Sequence, residues 1–378
     1  MTIYTRRRFL QSVAVTVPFA AQPRRLFTRQ GLVRTIAGTG VAGYEMEGQR
    51  GLIGTETQVN NPYGVVVGPD GALYFCEVDT GRTRRLDLGT QRLTTVAGTG
   101  DKAYEGDGQL ALQASFSAPH EIRFDRDRHL FVVERDSHAV RRIDANTGVV
   151  STVAGTGEAG FSGDGGPAIT AQLRQPHSIA FDADGNLLIC DIGNGRVRSV
   201  NMQNGLISTL SGTGDRQAAT PNSGPLAGTP LRGPRSLDTD NEGNAYLVLR
   251  EGNAVFRLNL LAGSLERIAG TGETGYTGDG GPALEATFNG PKGIAYSGQD
   301  ESLYIVDTEN HVIRRMSLRT GILETVLGNG ERGDGPDGDP HSCKMDRPHG
   351  VFVNEGVVYV TDSESHRVRA LELSLIHI

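Results

Sequence analysis

Residues 150–200 carry the pattern from which the rest of the chain is built. Val150-Ser-Thr-Val-Ala154 runs into Gly155-Thr-Gly157 and a glycine-rich loop. Then come Gln175-Pro176-His177-Ser178-Ile179-Ala180-Phe181, the turn Asp182-Ala-Asp-Gly185-Asn186, Leu187-Leu-Ile-Cys-Asp191 and Arg196-Val-Arg-Ser-Val200. The proline recurs at Pro62, Pro119, Pro176, Pro234, Pro291 and Pro348, at steps of 57, 57, 58, 57 and 57. The Gly-x-Gly ahead of each recurs at Gly38, Gly98, Gly155, Gly212, Gly270 and Gly328. Several short strands per unit, repeated six times at so regular a period, specify an all-β six-bladed β-propeller.

Each unit reads as four antiparallel strands from its proline onward. Strand a starts at the proline, b ends in an acid, c carries arginines and d runs into Gly-x-Gly. Turns such as Asp182–Asn186 join a to b, and Asn146-Thr-Gly148 or Asn204-Gly205 join c to d, with Gly and Asn supplying positive φ. An offset then appears. The sixth unit has a (351–353), b (357–361) and c (367–371) but no d, while Leu32–Ala37 precedes any proline of the repeat. That orphan is expected to pair beside Arg367–Leu371 and close the ring, removing the exposed edges of an open sheet. In the fourth unit Arg250 stands where strand b should end in an acid.

Composition agrees. Glycine supplies 52 of 378 residues, about twice the usual share of about 7%, and the excess sits at repeat junctions. The formal charge is -7, and loss of Arg6, Arg7 and Arg8 would take it to -10. An acidic body with 6% aromatics and no tryptophan excludes a nucleic-acid surface. Residues 1–21 combine the basic Arg6-Arg7-Arg8 with Phe9-Leu10 and a short apolar run, resembling a bacterial twin-arginine export signal. The run is too short to span a membrane. Residues 22–31 then read as a linker, 32–371 as the propeller and 372–378 as a non-native-looking tail. The protein is expected in the periplasm or secreted. Cys76 and Cys190 occupy the same slot two blades apart and Cys343 lies in the last d–a loop, so buried thiols are expected in place of disulfides.

Topology separates two faces. The start of a lies beside the end of b, so the long glycine-rich d–a loops and the b–c loops share one face, where any binding site belongs. The residue after each proline is Tyr63, His120, His177, Arg235, Lys292 and His349. Each opens the innermost strand at the mouth of the central channel, and together they are the candidate ligand-binding residues. Nine histidines among 378 residues would place far fewer than one at six positions by chance; three are there. His120, His177 and His349 offer three imidazoles of the kind that hold a catalytic zinc, although they come from two neighbouring units and one across the ring. The alternative is packing and hydrogen bonding at strand starts.

A second ring is acidic: Glu77, Glu134, Asp191, Asp307 and Asp362 end strand b. These either contact a cation or cap their own b–c turns beside an arginine of strand c, and one acid per repeated turn favours capping. His138, His311 and His366 in the b–c turns read the same way. Asp107, Asp164 and Asp279, each in Gly-Asp-Gly, either offer calcium oxygens or shape a turn; none of these loops supplies the six to eight oxygens calcium takes. The pairs Arg84-Arg85, Arg141-Arg142 and Arg314-Arg315 alternate across strand c, one to each face of the sheet.

Asn186–Asp191, Tyr304-Ile-Val-Asp307-Thr-Glu-Asn310-His311-Val-Ile-Arg314, and the Pro-x-Gly-Val of Pro62–Val65 and Pro348–Val351 resemble the NHL repeat of six-bladed propellers. The insert Gly160–Ala168, echoed at Gly275–Ala283, is similar to loops of secreted bacterial members. The likeness covers Leu32 to Leu371 and implies a fold more than an activity. More loosely, the Pro-His steps resemble the propeller of peptidyl-α-hydroxyglycine α-amidating lyase, which implies metal-binding histidines with Arg235 and Tyr63 as catalytic analogues. Gluconolactonase-type propellers imply carboxylates on a metal. Two readings follow. In one, the exported propeller binds a protein, peptide or saccharide ligand of the envelope on its loop-rich face. In the other, it is a metal-dependent lyase or lactonase holding Zn, or less readily Ca. There, His120, His177 and His349 would be ligands, Arg235 would orient an anionic substrate and Tyr63 would move a proton.

Overall fold

The computed structural model describes residues 31–373 apart from residues 49 and 241; residues 1–30, which include the stretch expected to be an export signal, and residues 374–378 lie outside the described residues. Six antiparallel sheets, five of them built from four consecutive meander strands and two of those extended by a short fifth strand at the outer edge, surround a central axis. Blade 1 is Pro62–Val67, Leu73–Glu77, Arg82–Leu86 and Arg92–Ala97, and blade 3 is Pro176–Phe181, Leu187–Asp191, Arg196–Asn201 and Leu206–Ser211. The inner strands of blades 2, 4 and 5 are Pro119–Phe124, Pro234–Thr239 and Gly293–Ser297.

Blade 6 comprises Gly350–Asn354, Val357–Asp362 and Arg367–Glu372, and its outer strand is Leu32–Ala37 from the other end of the chain. The register runs Leu32↔Glu372, Val33↔Leu371, Arg34↔Ala370 and Thr35↔Arg369, with a bulge before Ala37↔Val368. The expected closure is therefore present, and it reaches one residue beyond the expected end of the propeller, since Glu372 pairs with both Leu32 and Val357. Each ladder bond contributes about 0.5–1.5 kcal/mol.

A flat blade has two apolar faces and must bury both against its neighbours. The core accordingly divides into six clusters, one per blade interface. Ala180, Leu188 and Val197 of blade 3 meet Leu237, Leu247 and Phe256 of blade 4. The interface across the closure is built the same way, from Ile36, Val368 and Ala370 against Val65, Phe75 and Leu86.

The d–a loops have a structural task that accounts for much of their length. Each runs from strand d of one blade to the outer edge of the next and bonds to it. Leu52–Ile53 pairs with Arg92–Leu93, and Ser223–Pro225 with Ser264–Glu266. Single bridges do the same at Leu110↔Val149, Pro167↔Leu206, Pro282↔Ile322 and Gly338↔Val33. All six outer edges are thus covered, which removes the rows of unpaired N–H and C=O groups that an edge strand presents.

The same loops deliver a carboxylate to a buried arginine of strand c. Arg141 meets Asp107 at 2.6 Å, Arg198 meets Asp164 at 2.7 Å, Arg314 meets Asp279 at 2.8 Å and Arg369 meets Asp334 at 2.6 Å, while Glu47 serves Arg84 at 3.1 Å. The Gly-Asp-Gly aspartates are therefore ion-pair partners. On the other side each arginine faces the strand-b acid, from 2.8 Å for Arg369–Asp362 to 3.6 Å for Arg198–Asp191. Arg85 and Arg315, the second members of their pairs, lie nearer solvent. All three cysteines are free and buried.

Blade 4 requires a correction. The residue opposite Pro234 is Leu249, as Glu77 is opposite Pro62 and Asp191 opposite Pro176, so the acid's position is held by Leu249 and Arg250 begins the turn. The arginine's position in strand c is held by Phe256, and both residues join the apolar cluster between blades 3 and 4.

Candidate functional site at the channel mouth

The residue before each proline is left-handed: Asn61 (φ 50°), Ala118 (51°), Gln175 (49°), Gly233 (72°), Gly290 (56°) and Arg347 (45°). Proline normally drives its predecessor to extended backbone, so the conformation is strained at the four positions that are not glycine and must be held by its surroundings. Part of the hold comes from the preceding blade. Nδ1 of His138 accepts the Gln175 N–H at 3.0 Å, and Nδ1 of His311 and His366 accept those of Arg347 and Asn61, each at 3.2 Å. Asn253 Oδ1 does the same for Gly290 at 2.9 Å. The b–c turn histidines are therefore latches between blades.

The strand-b acids complete the turn. Asp191 accepts the Arg174 N–H at 2.7 Å and Asp362 that of Asp346 at 2.7 Å, and Asn194 of the b–c turn donates to Asp191 at 2.8 Å. The acid thus fixes the d–a loop two residues before the proline as well as its own turn. All five acids are fully buried.

The next residue after each of these prolines is turned inward. In blades 2, 3 and 4 the ladder skips it: Pro119↔Glu134 is followed by Glu121↔Val133, Pro176↔Asp191 by Ser178↔Cys190, and Pro234↔Leu249 by Ser236↔Val248. A bulge re-aims the skipped side chain, and five of the six predicted residues touch one another in turn, with Arg235 in the remaining blade. The Tyr63 ring stacks on His349, with centroids 3.9 Å apart, and tilts against His120 at 4.7 Å. His120 meets His177 edge-on at 4.6 Å. His349 Nε2 faces Lys292 Nζ at 3.1 Å. Arg235 sits between His177 and Lys292 in blade order, and its charge bears on Tyr63 and on all three imidazoles.

The tautomers follow from the partners. His120 Nδ1 lies 3.0 Å from the Ala118 carbonyl and His177 Nδ1 lies 2.7 Å from that of Gln175. A carbonyl only accepts, so both rings carry their proton on Nδ1 and leave the Nε2 lone pair free. When Lys292 is protonated its ammonium donates to Nε2 of His349, which places the imidazole proton on Nδ1, a nitrogen with no partner among the described residues. Burial, reinforced by Arg235 or Lys292, holds the three imidazoles well below the ordinary range, so they are neutral at pH 7.

Burial also lowers Lys292 to about 7, against the opposing pull of Glu309, which lies 3.2 Å away. Burial alone would raise Glu309, but Arg347 at 2.8 Å and Lys292 bring it down to about 2. Arg235 is lowered to about 10 by burial, and burial raises the Tyr63 phenol. Glu309 and Arg347 were not among the residues expected here. Their signal in the sequence was position alone: one lies in a b–c turn and the other immediately precedes Pro348.

The three histidines do not form a common ligand set in this geometry. His349 presents its Nε2 to an ammonium group. Among the described residues, the one trio of His, Cys, Asp or Glu ligand atoms lying within 4.8 Å of one another is Asp125, Asp127 and His129. There, His129 Nδ1 already accepts the Ala145 N–H at 2.9 Å. No catalytic step is therefore derived through a metal. Among the described residues no helix is long and apolar enough to cross a membrane.

Comparison with known proteins agrees with this architecture. Residues 345–371 match the NHL repeat. The chain is 24% identical over 325 residues to NHL repeat-containing protein 2 of Gallus gallus, an alignment covering 78% of this chain and 44% of that protein. It spans less than half the length of such curated relatives, 27% and 44% for two of them. Two solved structures from Bacteroides thetaiotaomicron superpose on it. One, described as a protein of unknown function, has a TM-score of 0.68 at 17% identity, covering 91% of this chain and 76% of that one. The other, described as an auxiliary nutrient binding protein, has a TM-score of 0.64 at 16% identity, covering 90% and 76%. Six blades, the closing strand and the repeat at residues 345–371 lead to one assignment: the chain is a six-bladed β-propeller that carries an NHL repeat.

Proposed function

We propose that this protein is an exported binding propeller that receives a peptide or saccharide ligand of the cell envelope at the channel mouth. The observation that carries this reading is the run of contacts Lys292–His349–Tyr63–His120–His177 from five blades, with the charge of Arg235 from the sixth bearing on it. Such a ring offers stacking surface, two imidazole lone pairs and cationic groups side by side, the mixture that ligand sites use. The basic start of the chain and the neighbour described as an auxiliary nutrient binding protein support the same reading. The test is a thermal-shift screen of the purified protein against defined peptides and oligosaccharides, repeated with His120→Ala/His177→Ala. A ligand that raises the melting temperature of the parent and leaves the variant unmoved supports the site. Binding unaffected by the double substitution would move it elsewhere.

A further inference from the structure

Arg235 differs from the other deeply buried arginines. Its side chain is reached by solvent over only 6% of its surface, yet among the described residues it forms no hydrogen bond and no ion pair. Arg84, Arg141, Arg198, Arg314 and Arg369 each hold two or more carboxylates, and Arg123 holds Glu121 at 2.5 Å. The neighbouring cation is balanced too, since Lys292 lies 3.2 Å from Glu309. Arg235 thus stands at the mouth as a cation with no directly bonded acid among the described residues, Glu121 acting on it only through space. A buried charge without a partner costs several kcal/mol unless something supplies one.

Beside it stand acceptors. His177, in the adjacent blade, and His120 have their Nδ1 protons committed to the backbone carbonyls of Gln175 and Ala118. Their Nε2 lone pairs have no partner among the described residues. Lone pairs repel a second anionic oxygen and accept from an O–H or N–H.

Resting on the reading of the channel mouth as a ligand site, we infer that the ligand enters head-first as a monocarboxylate carrying hydroxyl groups next to its acid. Its carboxylate is received by the Arg235 guanidinium and its hydroxyls by Nε2 of His177 and His120. A guanidinium matches a carboxylate in two parallel bonds. One free charge balances a monoanion, whereas a phosphate monoester dianion would leave an excess that no second unpaired cation of the ring, among the described residues, meets.

The experiment titrates the parent protein with lactate, glycerate and galacturonate, and with lactamide, acetate and galactose 6-phosphate, by calorimetry at pH 7 and low salt. At least one hydroxy acid should bind. The amide, the acid without a hydroxyl and the phosphate should each be weaker by tenfold or more. Arg235→Met should abolish that preference and, by removing an unpaired buried charge, raise the melting temperature of the ligand-free protein. The inference is overturned if none of the three hydroxy acids binds. It is also overturned if lactamide binds as well as lactate, or if Arg235→Met lowers the melting temperature. The wider reading stands or falls separately on the peptide and oligosaccharide screen.

Discussion

Leu249 and Phe256 occupy, in blade 4, the positions that a carboxylate and an arginine hold in the other five blades, and both lie in one apolar cluster. The loop of that blade also lacks the Gly-Asp-Gly aspartate, so all three members of the ion triad are replaced together. This matches the rule that a buried ion pair exchanged as a set is nearly neutral, while removing one partner is costly.

The rule can be tested in blade 3. Arg198→Met alone strands the fully buried Asp191 and is expected to cost about 3–5 kcal/mol in urea denaturation. Adding Asp191→Leu should recover most of that loss. A double variant no more stable than the single one would show that the ion pair, and not the burial of an unpaired acid, sustains the blade.

The histidine latches give stability a pH dependence. Burial holds His138, His311 and His366 below the ordinary value near 6.5, despite nearby acids such as Asp136 for His138, Glu309 and Asp346 for His311, and Asp79 and Glu364 for His366. In this range the unfolded chain takes up protons that the folded one refuses. The stability these groups confer is therefore complete above about 6.5 and is lost as pH falls through the lower folded values. Each latch is worth about 1 kcal/mol. Asn253 performs the same task without titrating. His366→Asn should therefore flatten part of the decline in melting temperature between pH 7 and 5, and an unchanged slope would remove the latch from that role.

The closing strand predicts a contrast between two of its own residues. Ile36 is buried between blades 6 and 1, and Leu32 is 62% exposed. Ile36→Ala is expected to cost about 2–4 kcal/mol, and Leu32→Ala less than about 0.5 kcal/mol. Equal effects in chemical denaturation would mean that the ring does not close through side-chain burial.

For zinc, the orientation of His349 toward Lys292 predicts that His349→Ala leaves the metal content of protein purified with added zinc unchanged. Loss of stoichiometric zinc in that variant would restore the three-histidine arrangement.

Much of this was legible from spacing alone. Six prolines fixed the blades, the orphan Leu32–Ala37 fixed the closure, and the residue after each proline fixed the ring at the mouth. Blade 4 was misread because Arg250 is the conspicuous polar residue there. Counting fifteen positions from Pro234, as from Pro62, Pro119 and Pro176, lands on Leu249. The latches and the unpaired state of Arg235 could not be read from the chain. Both depend on what a neighbouring blade places within about 3 Å, the range of a hydrogen bond, and residues 305 apart, such as Asn61 and His366, meet only once the circle is complete.

The loops that run over the rim of each blade bear on how this molecule can associate. An extended peptide, or a second copy, that sought to join a sheet by continuing its backbone ladder would find all six outer strands already engaged. Recognition is left to side chains at the two open ends of the cylinder, so whatever docks must be read by its functional groups and not by its main chain.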